Sequence, residues 1–138
     1  MGKLNAIEPD TQSGNAVVEL RVSADPTQLS VVRAVAGTIA GQDDFDLDAI
    51  ADVRLAMDEA CSFLIVRAKP DSILTCSFQH SPDHLRVRIS TRTVDGEATT
   101  SRTFGWYVLE TLTDSIALER DGDVTAIEFT KSKVGPDA

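Results

Sequence analysis

Leu55-Ala56-Met57-Asp58-Glu59-Ala60-Cys61-Ser62-Phe63 is the stretch on which the fold turns. Met57, Ala60 and Cys61 stand at i, i+3 and i+4, the spacing of one helix face. Ile50 and Val53 before them and Leu64 after them extend that stripe, so a long amphipathic helix is predicted from the acidic run Asp43–Asp48 to about Ala68. Pro70 ends it, because proline lacks the amide proton a helix interior requires.

Upstream of this helix, Val18, Leu20 and Val22 alternate with Val17, Glu19 and Arg21, the period of a half-buried strand. Asp25-Pro26 reads as an N-cap followed by the first helical position. The helix it opens places Leu29, Val32, Ala36 and Ile39 on one face, with Gly41 near its end. Downstream, Leu74, Cys76 and Phe78 alternate with Thr75 and Ser77. Past the turn Ser81-Pro82-Asp83, Leu85, Val87 and Ile89 alternate with Arg86, Arg88 and Ser90. A polar loop over Thr93–Ser101 precedes a short helix with Phe104, Val108 and Leu112 turned inward. Two last strands, around Ile116–Arg120 and Val124–Thr130, are joined by Asp121-Gly122, a strong hairpin signal.

The predicted order is β-α-α-β-β-α-β-β. Each strand has one apolar and one polar face, so one face of the sheet is covered and three amphipathic helices are available to cover it. The expected class is an α/β (α+β) two-layer sandwich with a mixed sheet and its helices on one face. Residues 16–133 form the domain, with flexible tails at 1–15 and 134–138 that carry no periodicity.

Composition limits the function. The 138 residues are 42% apolar and 25% charged, ordinary for one globular domain. With 22 acidic against 13 basic residues the net charge is −9, whereas a nucleic-acid surface needs cations to displace counterions. Direct nucleic-acid binding is not expected; the acidity serves solubility or attracts a basic protein partner. No apolar run reaches the ~20 residues of a membrane span. The start lacks a signal core, and Ala6 stands where a myristoylation signal has Ser or Thr, so no membrane association and a cytoplasmic location are expected. Cys61 and Cys76 fall on apolar positions and read as packing residues. His80 and His84 flank a turn without thiol or carboxylate companions, and no metal site is expected there. No nucleophile and base come together around Cys61 or His80.

The element order, the helix containing Asp58-Glu59-Ala60-Cys61-Ser62-Phe63, the segment Phe104-Gly105-Trp106-Tyr107-Val108-Leu109-Glu110 and the Leu112-Thr113-Asp114 after it resemble the histidine-kinase-like ATPase (Bergerat) fold. More narrowly they resemble anti-sigma factors of the RsbW and sporulation type, which are also serine-protein kinases. The likeness is to divergent actinobacterial members that restrain a stress-response sigma factor. It spans about Val17 to Lys133.

The resemblance implies a nucleotide site, and four of its requirements can be compared with this chain. Glu59 takes the place of the general base. Four residues later the family's magnesium-binding Asn is Phe63 here, and a phenyl ring offers a hard cation no oxygen. The Asp-x-Gly-x-Gly run that holds adenine becomes Arg92-Thr93-Val94-Asp95-Gly96, and Arg92 is a donor only. Val94 fills the space of the first glycine, and Gly105 is the one glycine left from the phosphate lid. The implied site is degenerate. Glu59 is then a vestigial base or a solvated, partner-facing charge, and Phe63 an apolar plug. Arg92 is a strand-end surface residue or a phosphate contact in another nucleotide orientation.

The resemblance further implies that Arg33, in the middle of the first helix, contacts partners, its planar fork suiting carboxylates; the alternative is a routine exposed arginine. Of Trp106 and Tyr107, one is expected in the core and the other as an exposed anchor. The implied partners are an alternative sigma factor and an anti-anti-sigma antagonist, with a homodimer through the sheets as a family habit. The implied function is sequestration of the sigma factor without kinase activity, and no cofactor is expected. The alternative is an active kinase that phosphorylates the antagonist, with ATP and magnesium, Glu59 as base, and Asp58 or Asp95 holding the metal.

Overall fold

The computed structural model describes residues 17–94 and 104–133. The expected tails at 1–15 and 134–138, residue 16, and Asp95, Gly96 and most of the polar loop lie outside the described residues.

Strand β1 (Val17–Ser23) leads into a 3-10 turn, Pro26–Gln28, and then helix α1 (Leu29–Gln42). Asp25 caps the turn as its sequence predicts: its side chain accepts from the Thr27 amide at 2.9 Å. Asp44, at φ 65°, makes the bend to helix α2 (Leu47–Arg67), and Asp46 caps that helix by accepting from the Ala49 amide at 2.8 Å. Strands β2 (Ile73–His80) and β3 (His84–Arg92) form a hairpin. Helix α3 (Phe104–Leu112) follows, then β4 (Ser115–Asp121) and β5 (Val124–Ser132). The last two strands are joined through Gly122 and Asp123, with Gly122 at φ 64°, as two-residue hairpins favour.

The five strands lie in the order β1-β2-β3-β5-β4, and every neighbouring pair is antiparallel. This corrects the expected mixed sheet. The crossover through α3 sets β4 parallel to β3, but β5 turns back in the hairpin and inserts between them, so no parallel pair is hydrogen-bonded.

The two-layer arrangement is as predicted. Leu74, Cys76 and Phe78 of β2, Leu85, Val87 and Ile89 of β3, and Ile127 and Phe129 of β5 are buried under the helices. Val32, Ala36, Ile39 and Ala40 of α1 and Val53, Met57, Ala60, Cys61 and Leu64 of α2 meet them. Burying each of the Val, Leu, Ile, Phe and Met side chains among these is worth roughly 1.5–3 kcal/mol. The other face of the sheet is polar, with Arg86 paired to Glu128 at 2.9 Å and Arg88 to Glu119 at 2.9 Å. Cys61 and Cys76 are free and buried at the helix–sheet junction; a hydrogen bond with Cys76, then burial, pushes the Cys61 thiol up.

Helix α3 departs from its expected face. Trp106 and Leu109 are buried and Leu112 packs on the core, whereas Phe104 is 82% exposed. The inward stripe therefore runs through Trp106, one step round from the Phe104–Val108 line. The largest apolar surface in the segment won the core position.

Candidate functional site

The C-terminal half of α2 builds a shallow depression. Glu59, Ser62, Phe63, Val66 and Arg67 line it at i, i+3, i+4, i+7 and i+8, and Gly105 of α3 closes the side. Its volume is about 220 Å³. Phe63 is buried, its ring centroid 5.9 Å from that of Trp106 with the planes tilted at 54°. The guanidinium carbon of Arg67 lies 3.7 Å from the Phe63 centroid, a cation–π contact, and its Nη1 donates to the Phe63 carbonyl at 2.8 Å. Burial pulls the Arg67 pKa below the usual arginine value, and its Nε is buried without a hydrogen bond among the described residues. Glu59 is half-buried on the rim, and its carboxylate has no ion-pair or hydrogen-bond partner among the described residues.

The structure does not bring Arg92 to this depression. Strand parity puts Leu85, Val87, Ile89, Thr91 and Thr93 under the helices and Arg86, Arg88 and Arg92 on the open face. There Arg92 Nε donates to Asp123 at 3.0 Å, and Lys69 reaches the same carboxylate oxygen at 3.0 Å. Lys69, then Arg92, holds the Asp123 carboxyl at about 2, below its ordinary 3.8. Val94 is half-exposed beside the end of α2, its amide donating to the Arg67 carbonyl at 2.9 Å.

Thr93, not Arg92, points to the helix side. It is fully buried, and its hydroxyl lies 2.7 Å from that of Thr125; Arg120 Nη1 donates to both, at 2.7 and 3.1 Å. The sequence reading missed this cluster. Its signal was strand parity, since Thr91 and Thr93 continue the buried alternation of Leu85, Val87 and Ile89. Arg67 was missed too, although it stands four residues after Phe63 on the same helix face.

Arg33 lies on the other side of α2. Its Nε donates to both Asp58 oxygens at 3.0 Å, tying α1 to α2. Asp58 is thereby committed to a guanidinium. Trp106 is the buried member of its pair and Tyr107 the half-exposed one, as expected.

The chain matches the histidine kinase-like ATPase domain family over residues 22–131. It is 36% identical over 111 residues to the "Anti-sigma-F factor RsbW" of Mycobacterium tuberculosis, in strain H37Rv and in strain CDC 1551 alike, a match covering 80% of this chain and 66% of each relative. This chain is a histidine kinase-like ATPase domain of the RsbW type. A crystal structure of the RsbU and RsbW domains of a Mycobacterium tuberculosis protein superposes with a TM-score of 0.67 at 14% identity, over 87% of this chain and 33% of that one, and shows the shared fold. The RsbW-type domain spans just under two thirds of the length of the curated relatives it matches.

The fold family implies ATP and magnesium, and the described residues do not fit them. The side chain one turn beyond Glu59 is a buried phenyl ring in contact with an indole and a guanidinium, and it has no lone pair for a cation. Among the described residues no three His, Cys, Asp or Glu side chains gather to hold a metal. No described helix of the RsbW-type domain is long and apolar enough to cross a membrane.

Proposed function

We propose that this domain is an anti-sigma factor that works by occupancy alone. It binds an alternative, stress-response sigma factor in the cytoplasm, keeps it from core polymerase, and gives it up when an anti-anti-sigma antagonist competes for the same surface. It carries out no phosphoryl transfer, needs no nucleotide, and does not touch nucleic acid. Support for an anti-sigma role comes from the two relatives named as anti-sigma-F factors. The observation that supports the loss of chemistry is the Trp106–Phe63–Arg67 cluster, in which the residue four positions after Glu59 is a buried ring with no oxygen to offer a metal. Arg33, in the middle of α1, is the partner contact. Control then follows from affinities and concentrations, because each partner shifts the population only by what it binds.

The test is co-elution of the purified chain with alternative sigma factors in buffer stripped of nucleotide. A stable one-to-one or two-to-one complex under those conditions is expected. A complex that forms only after ATP and magnesium are added contradicts the reading.

A kinase reading rests on one feature, the unpaired Glu59 carboxylate on the rim of the depression. In that reading Glu59 deprotonates the antagonist's serine, and the metal needs a ligand other than Asp58, which is held by Arg33. Transfer of labelled phosphate to an antagonist, lost in Glu59→Gln, is the result that favours it.

A further inference from the structure

Three arginines of β3 on the open face of the sheet are each paired with an acid, and the arginine of β1 on that face is not. Arg86 is held by Glu128, Arg88 by Glu119 and Glu128, and Arg92 by Asp123. Arg21 makes no side-chain ion pair or hydrogen bond among the described residues, with Glu19 two positions back on the same face included. It borders a depression of about 310 Å³ lined also by Ile73, Thr75, Ser90, Arg92 and Val124. Register sets out the floor. Arg21 stands opposite Thr75 and Thr75 opposite Ser90, one row across β1, β2 and β3, with Arg92 two residues along β3. The backbones of Arg21 and Arg92 are therefore roughly 12 Å apart, two strand spacings by two residues, which leaves room for one small anion between the guanidiniums. The Thr75 and Ser90 hydroxyls are half-buried and make no hydrogen bond among the described residues, whereas Thr93 with Thr125 and Ser115 with Thr130 close on each other at 2.7 and 2.6 Å.

We propose that this depression binds a small phosphate monoester, a free metabolite with hydroxyl groups on a short carbon body. The phosphate sits between Arg21 and Arg92, over Thr75 and Ser90, and the carbon body lies against Ile73 and Val124. The donors decide the class. Two guanidiniums approach from the sides and two hydroxyls from beneath, which suits the three terminal oxygens of a tetrahedral phosphate; a planar carboxylate is satisfied by one fork in its own plane. Asp123 takes only the Nε of Arg92, so the Nη donors of that arginine are left without a hydrogen bond among the described residues. Ile73 and Val124, 44% and 37% exposed, supply the apolar wall. Asp71 is the one carboxylate lining the depression; it repels the phosphate and accepts from a hydroxyl, which sets the hydroxyl-bearing end of the ligand beside it. Two guanidiniums against that carboxylate leave a local positive excess on a chain of net charge −9. The site lies on the sheet face away from the helices, so it stands independently of the anti-sigma reading.

The experiment is an amide NMR titration of the full chain with glycerol 3-phosphate, run beside sulfate and succinate at matched ionic strength. Glycerol 3-phosphate is expected to shift the amides of Arg21, Thr75, Ser90 and Arg92 saturably, with a Kd on the order of 1 mM, and to leave α1 and α2 unmoved. Arg21→Ala weakens binding about tenfold with little change in the unfolding midpoint, because Arg21 has no internal partner to lose. Arg21→Lys restores only part of that loss, since lysine keeps the charge but not the fork. Thr75→Val keeps the side chain's shape without its hydroxyl and weakens binding about threefold. Succinate that binds as tightly as glycerol 3-phosphate overturns the phosphate assignment. Sulfate and glycerol 3-phosphate giving the same shifts at the same affinity, untouched by Arg21→Ala, would mean an adventitious ion only and overturns the site, as does the absence of saturable shifts at this corner.

Discussion

Helix α2 carries two arginine contacts that differ in what surrounds the guanidinium. Arg33, bound through Nε to Asp58, has a side chain 37% exposed. The Arg67 guanidinium sits over the Phe63 ring, its Nε buried and its Nη1 turned back to the helix's own carbonyl. The first arrangement is part-exposed. The second fills space. One helix thus carries a part-exposed ion pair on its α1 side and a buried aromatic–guanidinium cluster on its α3 side.

This contrast predicts that the two sides respond oppositely to mutation. Phe63→Ala removes a buried ring that contacts Trp106 and Arg67 and lowers stability by about 3–5 kcal/mol in chemical denaturation. A loss below about 1 kcal/mol would show that the ring is not a plug. Arg67→Met keeps a flexible stem over the ring while removing the charge; the lost cation–π contact costs about 1 kcal/mol, offset in part by relief of the buried Nε. Arg33→Ala breaks only a part-exposed ion pair, so it lowers stability by no more than about 1 kcal/mol while weakening partner binding at least tenfold. A large stability loss with unchanged binding would reverse the assignment of the two arginines. The smallest effect is at Asp123, at the far end of the sheet. Its folded pKa of about 2 lies below its ordinary 3.8, so its contribution to stability is present above pH 4 and disappears as pH falls through 2. Carboxyl NMR titration of Asp123 reads this directly, and Lys69→Ala moves its midpoint back up.

Much of this architecture was legible in the sequence because burial follows period. The alternations in Leu74–Phe78 and Leu85–Ile89 and the stripe Val53–Met57–Ala60–Leu64 name their buried faces without ambiguity. The helix at Phe104–Leu112 was less legible. With apolar residues at 104, 106, 107, 108, 109 and 112, more than one stripe can be drawn, and packing of the Trp106 ring on Phe63 chose between them. The two hairpins were legible from their turns, but the order of the strands was not, since the placing of β5 between β3 and β4 depends on tertiary contacts with no local signature. At the site, the change to Phe63 could be read directly, because residue type alone decides whether an oxygen is available. The role of Arg92 could not. A shift of one residue along a strand moves a side chain to the opposite face of the sheet, and only strand parity separates Arg92 on the open face from Thr93 beneath the helices.

Calorimetric titration of ATP-magnesium into the isolated chain bears most directly on the plug formed by Phe63, Trp106 and Arg67. The account predicts no saturable heat at concentrations up to about 1 mM, where a Kd corresponds to roughly −4 kcal/mol. A magnesium-dependent isotherm with a micromolar Kd, abolished by Glu59→Gln, would contradict it.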